Sequence, residues 1–394
     1  MLKSSTTKRL ALTVALAASL GSALAGGSAG ADPKQLTAAV GVGSDTTQDV
    51  MNAMTGFTNG LNYTPIQSSA ASNARQIISF DAVPPPPLTG TCITTKTGAP
   101  TMNRPQGSSQ GRRALSRAID GTGYGTALCG GPVNINGLVQ FARSSAGPTA
   151  GDTGTNLTYV PFGRDGVSFA YYRASGGAPV TSLTKAQLTS LFTTGPQVIG
   201  GVRIVPCGIQ TGSGTHQFWT TQLGVVASEP TATTECNNLL GVGVRAEEND
   251  GTALKSRGDL VAAGDQVIIG FSAGAFIAKS NLVAPGAPPA AVGMGTIGDN
   301  GSGTNLGAPV AGTAPNLSPS ATFYNDATFG RDVYNVFPTA VIASAFGNDD
   351  LKTLFAGPTS AICQQSVTIQ KFGFLAIPTC GDLTLKGSLL AGQL

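Results

Sequence analysis

Histidine is almost absent from this 394-residue chain: His216 stands alone. Charge is scarce too, with Asp, Glu, Lys and Arg together at 11%. No Cys precedes Cys92, no two cysteines are spaced CxxC, and no long apolar run follows the one near the N-terminus. Each shortage closes a class of function. One histidine excludes most His-ligated zinc sites and leaves a serine hydrolase without a base after its nucleophile. Without CxxC, no cysteine metal cluster is expected. Without an early cysteine, a lipid-modified cysteine cannot serve as anchor. A transmembrane helix needs about 20 apolar residues, and no later segment offers them.

The charge that is present balances. There are 23 Lys+Arg against 20 Asp+Glu, but Lys3, Lys8 and Arg9 lie in the first 25 residues, which hold no acid. Removing them leaves 20 of each, so the remaining chain has no basic footprint for nucleic acid. The same three cations precede the apolar run Leu10–Leu20, which ends at Ala23-Leu24-Ala25. A positive start, a short apolar middle and small residues at the cut read as a secretory signal over 1–25. A second cut site follows Ala29-Gly30-Ala31. The mature protein is expected to be secreted or periplasmic, with no membrane anchor. Cys92, Cys129, Cys207, Cys236, Cys363 and Cys380 suit that oxidising compartment and allow 15 pairings.

What is plentiful is Gly (54), Pro (24) and apolar residues, at 41%. The apolar content excludes disorder, and the length suggests two domains. A strand at 38–42 leads into Ser44-Asp45-Thr46-Thr47, which caps a helix with Val50, Met51, Met54 and Phe57 on one face. Ile77–Phe80 reads as strand, and Gly107-Ser108-Ser109 opens a second helix carrying Leu115 and Ile119. Val139–Ala142 is a strand ending in Arg143-Ser144-Ser145. A long apolar stretch, Leu157–Tyr172, is broken by Arg164-Asp165. Thr184-Lys185-Ala186-Gln187 is a capping box. Strand Val202–Cys207 runs into Gly212-Ser213-Gly214-Thr215 and a helix bearing Phe218, Trp219 and Leu223. Val267–Gly270 is a further strand, and 284–320 is a long loop or an insertion. Helices near 338–355 and 360–372 and a strand near Phe374–Ile377 close the chain. Strands alternating with helices define an α/β protein with largely parallel sheets.

Two letter patterns fail in context. Gly270-Phe271-Ser272-Ala273-Gly274 matches GxSxG, but its histidine would have to follow it, and His216 precedes it. Gly293-Met294-Gly295-Thr296-Ile297-Gly298 matches a dinucleotide fingerprint but runs into the turn-forming Asp299-Asn300-Gly301-Ser302-Gly303 instead of a helix. His216 falls in the first turn of its helix and reads as a neutral surface or rim side chain. Three other places share a chemistry. Ser44-Asp45-Thr46, Gly107-Ser108-Ser109 and Gly212-Ser213-Gly214-Thr215 put hydroxyls where a helix begins. There unpaired backbone N–H groups and the helix dipole hold anions without basic side chains. Singly, each is an ordinary N-cap. Together with Arg143-Ser144-Ser145 at a strand end, they outline an oxyanion cradle, at the edge where parallel α/β sheets bind ligands.

These residues, in this order, resemble the phosphate-capturing substrate-binding proteins of ABC transporters, a branch of the type 2 periplasmic binding proteins. Gly41-Val42-Gly43-Ser44-Asp45-Thr46 is similar to that family's opening strand–helix turn. Gly107-Ser108-Ser109-Gln110-Gly111 resembles its Gly-Ser-Ser helix start, and Gln140–Ala146 its Asp-Phe-Gly-Ala-Ser-Asp-Ala segment. Val160-Pro161 with Asp165-Gly166-Val167 resembles its crossover strand, and Leu183–Phe192 its Leu-Thr-x-x-Gln-Leu helix. Ser213-Gly214-Thr215 matches its Ser-Gly-Thr, Ile268–Phe271 its Ile-Gly-Tyr strand and Arg331–Pro338 its Tyr-Pro stretch.

The resemblance implies two α/β lobes, 32–160 plus about 275–394 and about 161–274, joined by a hinge around an interlobe cleft. It implies a monomer without cofactor, metal or catalytic residues that captures phosphate or a similar oxyanion, with permease subunits as further partners. The candidate ligand set is Ser44, Asp45, Thr46, Ser108, Ser109, Arg143, Ser144, Ser145, Ser213, Gly214 and Thr215. On the same architecture the cysteines are expected to pair sequentially, 92–129, 207–236 and 363–380. Two family residues are missing. The anion-binding arginine falls at Ile209, with Arg143 as the substitute, and the proton-accepting aspartate falls at Ser145, with Asp45 or Asp165 as candidates. Two further functions compete: a secreted phosphatase, and a secreted interaction protein that keeps the fold without transport.

Overall fold

The computed structural model describes residues 39–68, 75–84, 90–226, 236, 245–345 and 347–394. The leader and both of its cut positions lie outside the described residues. Eight main strands form one mixed sheet: β1 (Ala39–Gly43), β2 (Ile77–Ser79), β3 (Phe141–Ser144), β4 (Leu157–Tyr172), β5 (Gln197–Ile199), β6 (Val202–Cys207), β7 (Gln266–Ser272) and β8 (Gly330–Pro338). Their spatial order is β5-β6-β7-β4-β8-β3-β1-β2, and two short strands, Gly293–Met294 and Lys386–Gly387, pair with β4. The α/β expectation holds, but the sheet is not largely parallel. β1 is parallel to β2 and β3, and β6 to β7; β4 runs antiparallel to both β7 and β8.

The helices that matter for the site are α1 (Gln48–Met54), α2 (Ser108–Asp120), α3 (Lys185–Thr194), α4 (Gly214–Leu223), α5 (Gly251–Gly258) and α6 (Ala273–Ser280). The capping box of α3 is reciprocal: Gln187 N–H donates to Thr184 Oγ1 and Thr184 N–H donates to Gln187 Oε1. The expected cap of α1 differs, because Thr47 occupies that place without a side-chain bond to the helix.

Three apolar clusters hold the sheet. Around β5–β7 and the second half of β4, Phe169, Phe192, Ile204, Trp219 and Phe271 form one core, which Met294, Ile297, Phe323 and Phe329 join. At the other end, consecutive strand residues fall in different clusters. Phe141 and Phe162 pack with α1 on one face, while Ala142 and Tyr159 pack with Ala114 and Leu115 of α2 on the other. That alternation is the period-two rule of a strand covered on both faces.

Two sequence expectations change. Leu157–Tyr172 is one unbroken strand of 16 residues. Arg331–Asp165 and Arg164–Asp332 are directly opposed pairs in the β8–β4 register, so both charges of the supposed break are matched across the ladder. The tail forms no strand at 374–377; Leu375 makes an isolated bridge to Arg164, and the last strand is Lys386–Gly387. The cysteines pair 92–129, 207–236 and 363–380.

Candidate functional site

β1 and β3 are parallel neighbours with Gly43 opposite Arg143, so the Ser44–Thr46 turn and Ser144-Ser145 leave the same edge of the sheet. The starts of α2 and α4 meet them there. Ser109 N–H donates to the Gly212 carbonyl at 3.1 Å, and Ser108 Oγ lies 3.3 Å from Ser145 Oγ while accepting the Ser145 N–H at 3.0 Å. Ser213 caps α4 by accepting the His216 N–H. A Cβ at Gly214 would overlap Ser108 Oγ and Ser145 Oγ, and one at Gly107 the Gly212 carbonyl, so glycine lets the two helix starts touch. The structure therefore brings together Ser108, Ser145, Ser213, Gly214 and Thr215, with Thr46 and Asp45 beside them.

Through this seam runs a chain of polar contacts. Arg331 Nη2 donates to Thr215 Oγ1 at 2.9 Å. Thr215 and Thr46 hydroxyls stand 3.2 Å apart, and Thr46 Oγ1 donates to Glu248 Oε2 at 3.3 Å. Asn249 braces the end by donating to Asp45 Oδ2 and Thr46 Oγ1 and accepting the Ser272 N–H. Asn249 has a positive φ of 56°, a conformation asparagine tolerates better than most residues. Burial, aided by the nearby Asp45 charge, pushes the Glu248 carboxyl above the usual carboxylate range. The Ser213 and Thr215 hydroxyls and Arg331 oppose that rise.

A cavity of about 340 Å³ opens at the arginine end, lined by Ser145, Arg164, Phe218, Arg331, Asp332 and Tyr334 among others. Arg331 is 5% exposed. Its Nε and Nη2 hold Asp165, and its guanidinium lies 5.4 Å from the Phe218 ring centre. Nη1 is buried without a hydrogen-bond partner. A cationic donor left unmatched in a buried site is costly unless something completes it. A second cavity, of about 210 Å³, lies at the glutamate end and is lined by Asp45, Asp49, Glu247 and Glu248 among others.

Several candidate residues have other work. Arg143, read from sequence as the substitute anion-binding arginine, is fully buried and turns inward. Its donors go to the Ser44, Gly41, Gly43 and Phe80 carbonyls and to Ser79 Oγ, which accounts for all five N–H groups. Burial lowers its pKa to about 10, against the pull of Asp81, Asp45 and Asp49. It ties strand ends together and has nothing left for a ligand. Ser144 Oγ closes on Ala146 within its own turn. Ser109 Oγ faces the Arg112 guanidinium, and Ser44 Oγ is buried without a partner. Asp165 accepts from Ser272 Oγ, Gly274 N–H and Arg331, so it is fully engaged as well. Ser272, the serine of the GxSxG string, is fully buried and donates to that aspartate. His216 is half-buried, and its Nε2 accepts from Arg245 at 2.9 Å.

Arg331, Glu248 and Asn249 were not singled out as site residues from the sequence. Arg331 opens the Arg331–Pro338 segment already matched to the family. Its reversed partner sequence on β4, Arg164-Asp165 against Arg331-Asp332, was the available signal.

No protein-family profile and no curated protein sequence matches the chain. Solved structures similar to it include an ABC-type phosphate transport receptor from Vibrio cholerae, 13% identical, covering 86% of this chain and 100% of its own, with a TM-score of 0.44. A phosphate-binding protein from Stenotrophomonas maltophilia is 13% identical, covering 88% of this chain and 92% of its own, with a TM-score of 0.43. At such values the overlay is loose, and the site's meaning comes from its own residues. Among the described residues no helix is long and apolar enough to cross a membrane.

Proposed function

We propose that the protein is an exported, non-enzymatic solute receptor that holds an inorganic oxyanion, phosphate first, for an ABC transporter. The observation that carries this reading is Arg331 Nη1, a buried cationic donor without a partner, on a side chain that lines a cavity together with Ser145. Thr215 places its hydroxyl against the same guanidinium, and the starts of α2 and α4 meet behind Ser145. The lobes would be 32–160 plus about 275–394 and about 161–274, with Met294, Ile297, Phe323 and Phe329 packed into the core of the second. They would close over a dehydrated anion by a hinge motion. Asp332, in the same cavity wall, offers a proton acceptor, which would favour monohydrogen phosphate over sulfate.

A second reading, an exported interaction protein of the same fold without a transport role, is favoured by Glu248, whose carboxylate already takes the Thr46 hydroxyl. A phosphatase has less support, since the lone histidine is bonded to Arg245. Calorimetry of the mature protein with phosphate and sulfate separates the readings. The expected result is phosphate binding in preference to sulfate, weakened about tenfold or more by Arg331→Lys, which loses the planar fork. Binding of neither anion, or phosphate binding unchanged in both Arg331→Lys and Ser145→Ala, would overturn the oxyanion site.

A further inference from the structure

The cavity at the glutamate end has a chemistry opposite to the one just described. Five carboxylates line it, Asp45, Asp49, Glu247, Glu248 and Asp250, against one cation, Lys279. That is five of the chain's 20 acidic residues in a protein poor in charge. Lys279 offsets only part of that negative charge, and its Nζ also donates to the Asn249 carbonyl at 2.7 Å. Asp49 is 8% exposed, and its Oδ1 has no hydrogen-bond partner. A buried carboxylate oxygen without a donor, amid four further acids, is complementary to a ligand that brings N–H groups and positive charge.

We propose that this cavity binds a small linear aliphatic ammonium or diammonium ion, with its charged ends on the carboxylates and its carbons against Val83, Pro84 and Pro285. Those three residues form the apolar part of the wall. A bare metal ion fits the arrangement poorly. Among the described residues no three His, Cys, Asp or Glu side chains converge closely enough to hold one. The cavity shares Asp45 and Glu248 with the seam of the first site, while Asp49, Glu247, Asp250 and Lys279 belong to it alone.

The cluster predicts how binding couples to protons. Burial raises Asp49 to about 8; Asp81 and Asp45 push it further up while Lys279 and Arg143 pull it down. Burial likewise raises Glu247 to about 8, with Asp45, Glu248 and Asp250 adding to the rise and Lys279 opposing it. Near pH 7 both acids are largely protonated in the free protein, so a bound cation expels protons. Affinity should therefore climb as pH rises from about 6 to about 8.

The test is calorimetry of the mature chain with 1,4-diaminobutane, in two buffers of different ionisation enthalpy, with 1,4-butanediol as the uncharged control. The expected result is saturable binding of the diamine with net proton release, no binding of the diol, and affinity that increases with pH. Asp49→Asn and Glu247→Gln should each weaken the diamine about tenfold or more while leaving phosphate titration unchanged. Absence of diamine binding at millimolar concentration, binding without proton release, or diamine affinity in both variants equal to that of the unaltered protein would overturn the proposal. Should either variant fail to fold, proton release and the pH profile of the unaltered protein still decide.

Discussion

Two arginines divide the labour that the sequence assigned to one. Arg143 sits where the strand ends crowd, and five inward acceptors consume its five donors. Arg331 is held by Asp165 and Thr215 with one nitrogen to spare. Replacing Arg143 by Lys keeps the charge but cuts the donors from five to three, leaving buried carbonyls unmatched. Urea denaturation should show a stability loss of about 2 kcal/mol, with the phosphate affinity unchanged. Its place at a strand end is what marks Arg143 in the sequence. What residue type and spacing could not carry is the direction of the side chain, which follows from how closely β1, β2 and β3 converge around it.

The pair β4–β8 shows the same limit at the scale of an element. Arg164-Asp165 interrupts an apolar run, and on its own it reads as a break. The antiparallel register sets Arg331-Asp332 against it, so that each charge meets its opposite and the strand continues. Adjacent strand residues point to opposite faces. One pair, Arg331–Asp165, is consequently sealed at 3% and 0% side-chain exposure, and the other, Arg164–Asp332, remains partly wet. Asp165→Asn strands a buried guanidinium and should cost about 3–5 kcal/mol, whereas Asp332→Asn should cost about 1 kcal/mol or less. Paired denaturation curves of the two variants check that asymmetry. Elements closed by local chemistry were legible: the α3 capping box, the Ser213 cap on α4 and strand Val202–Cys207 appear where the residues put them. The tail strand expected at 374–377 was not, because an apolar run can bury without finding a ladder partner.

Across the whole molecule, the three disulfides are local, spanning 37, 29 and 17 residues. Each shortens a loop of the unfolded chain, so losing the Cys207–Cys236 bridge through the double alanine variant should lower stability by about 3 kcal/mol. Thermal unfolding with and without reductant would reveal it. The seam between the sheet's ends carries opposite chemistries, a buried arginine donor at one cavity and crowded carboxylates at the other. A Thr215–Thr46 contact bridges them.

The sequence by itself determined the α/β class, the helix starts at Ser108 and Gly214, and the clustering of hydroxyls and glycines there. These depend on local propensity and capping, which act over a few residues. Tertiary structure decided which charges face those hydroxyls. Arg331, Glu248 and Asn249 come from segments 116, 33 and 34 residues away from Thr215 or further still from Thr46, and Arg331 reaches Thr215 across that full separation. Charges act through distance and dielectric, and both are properties of the folded chain.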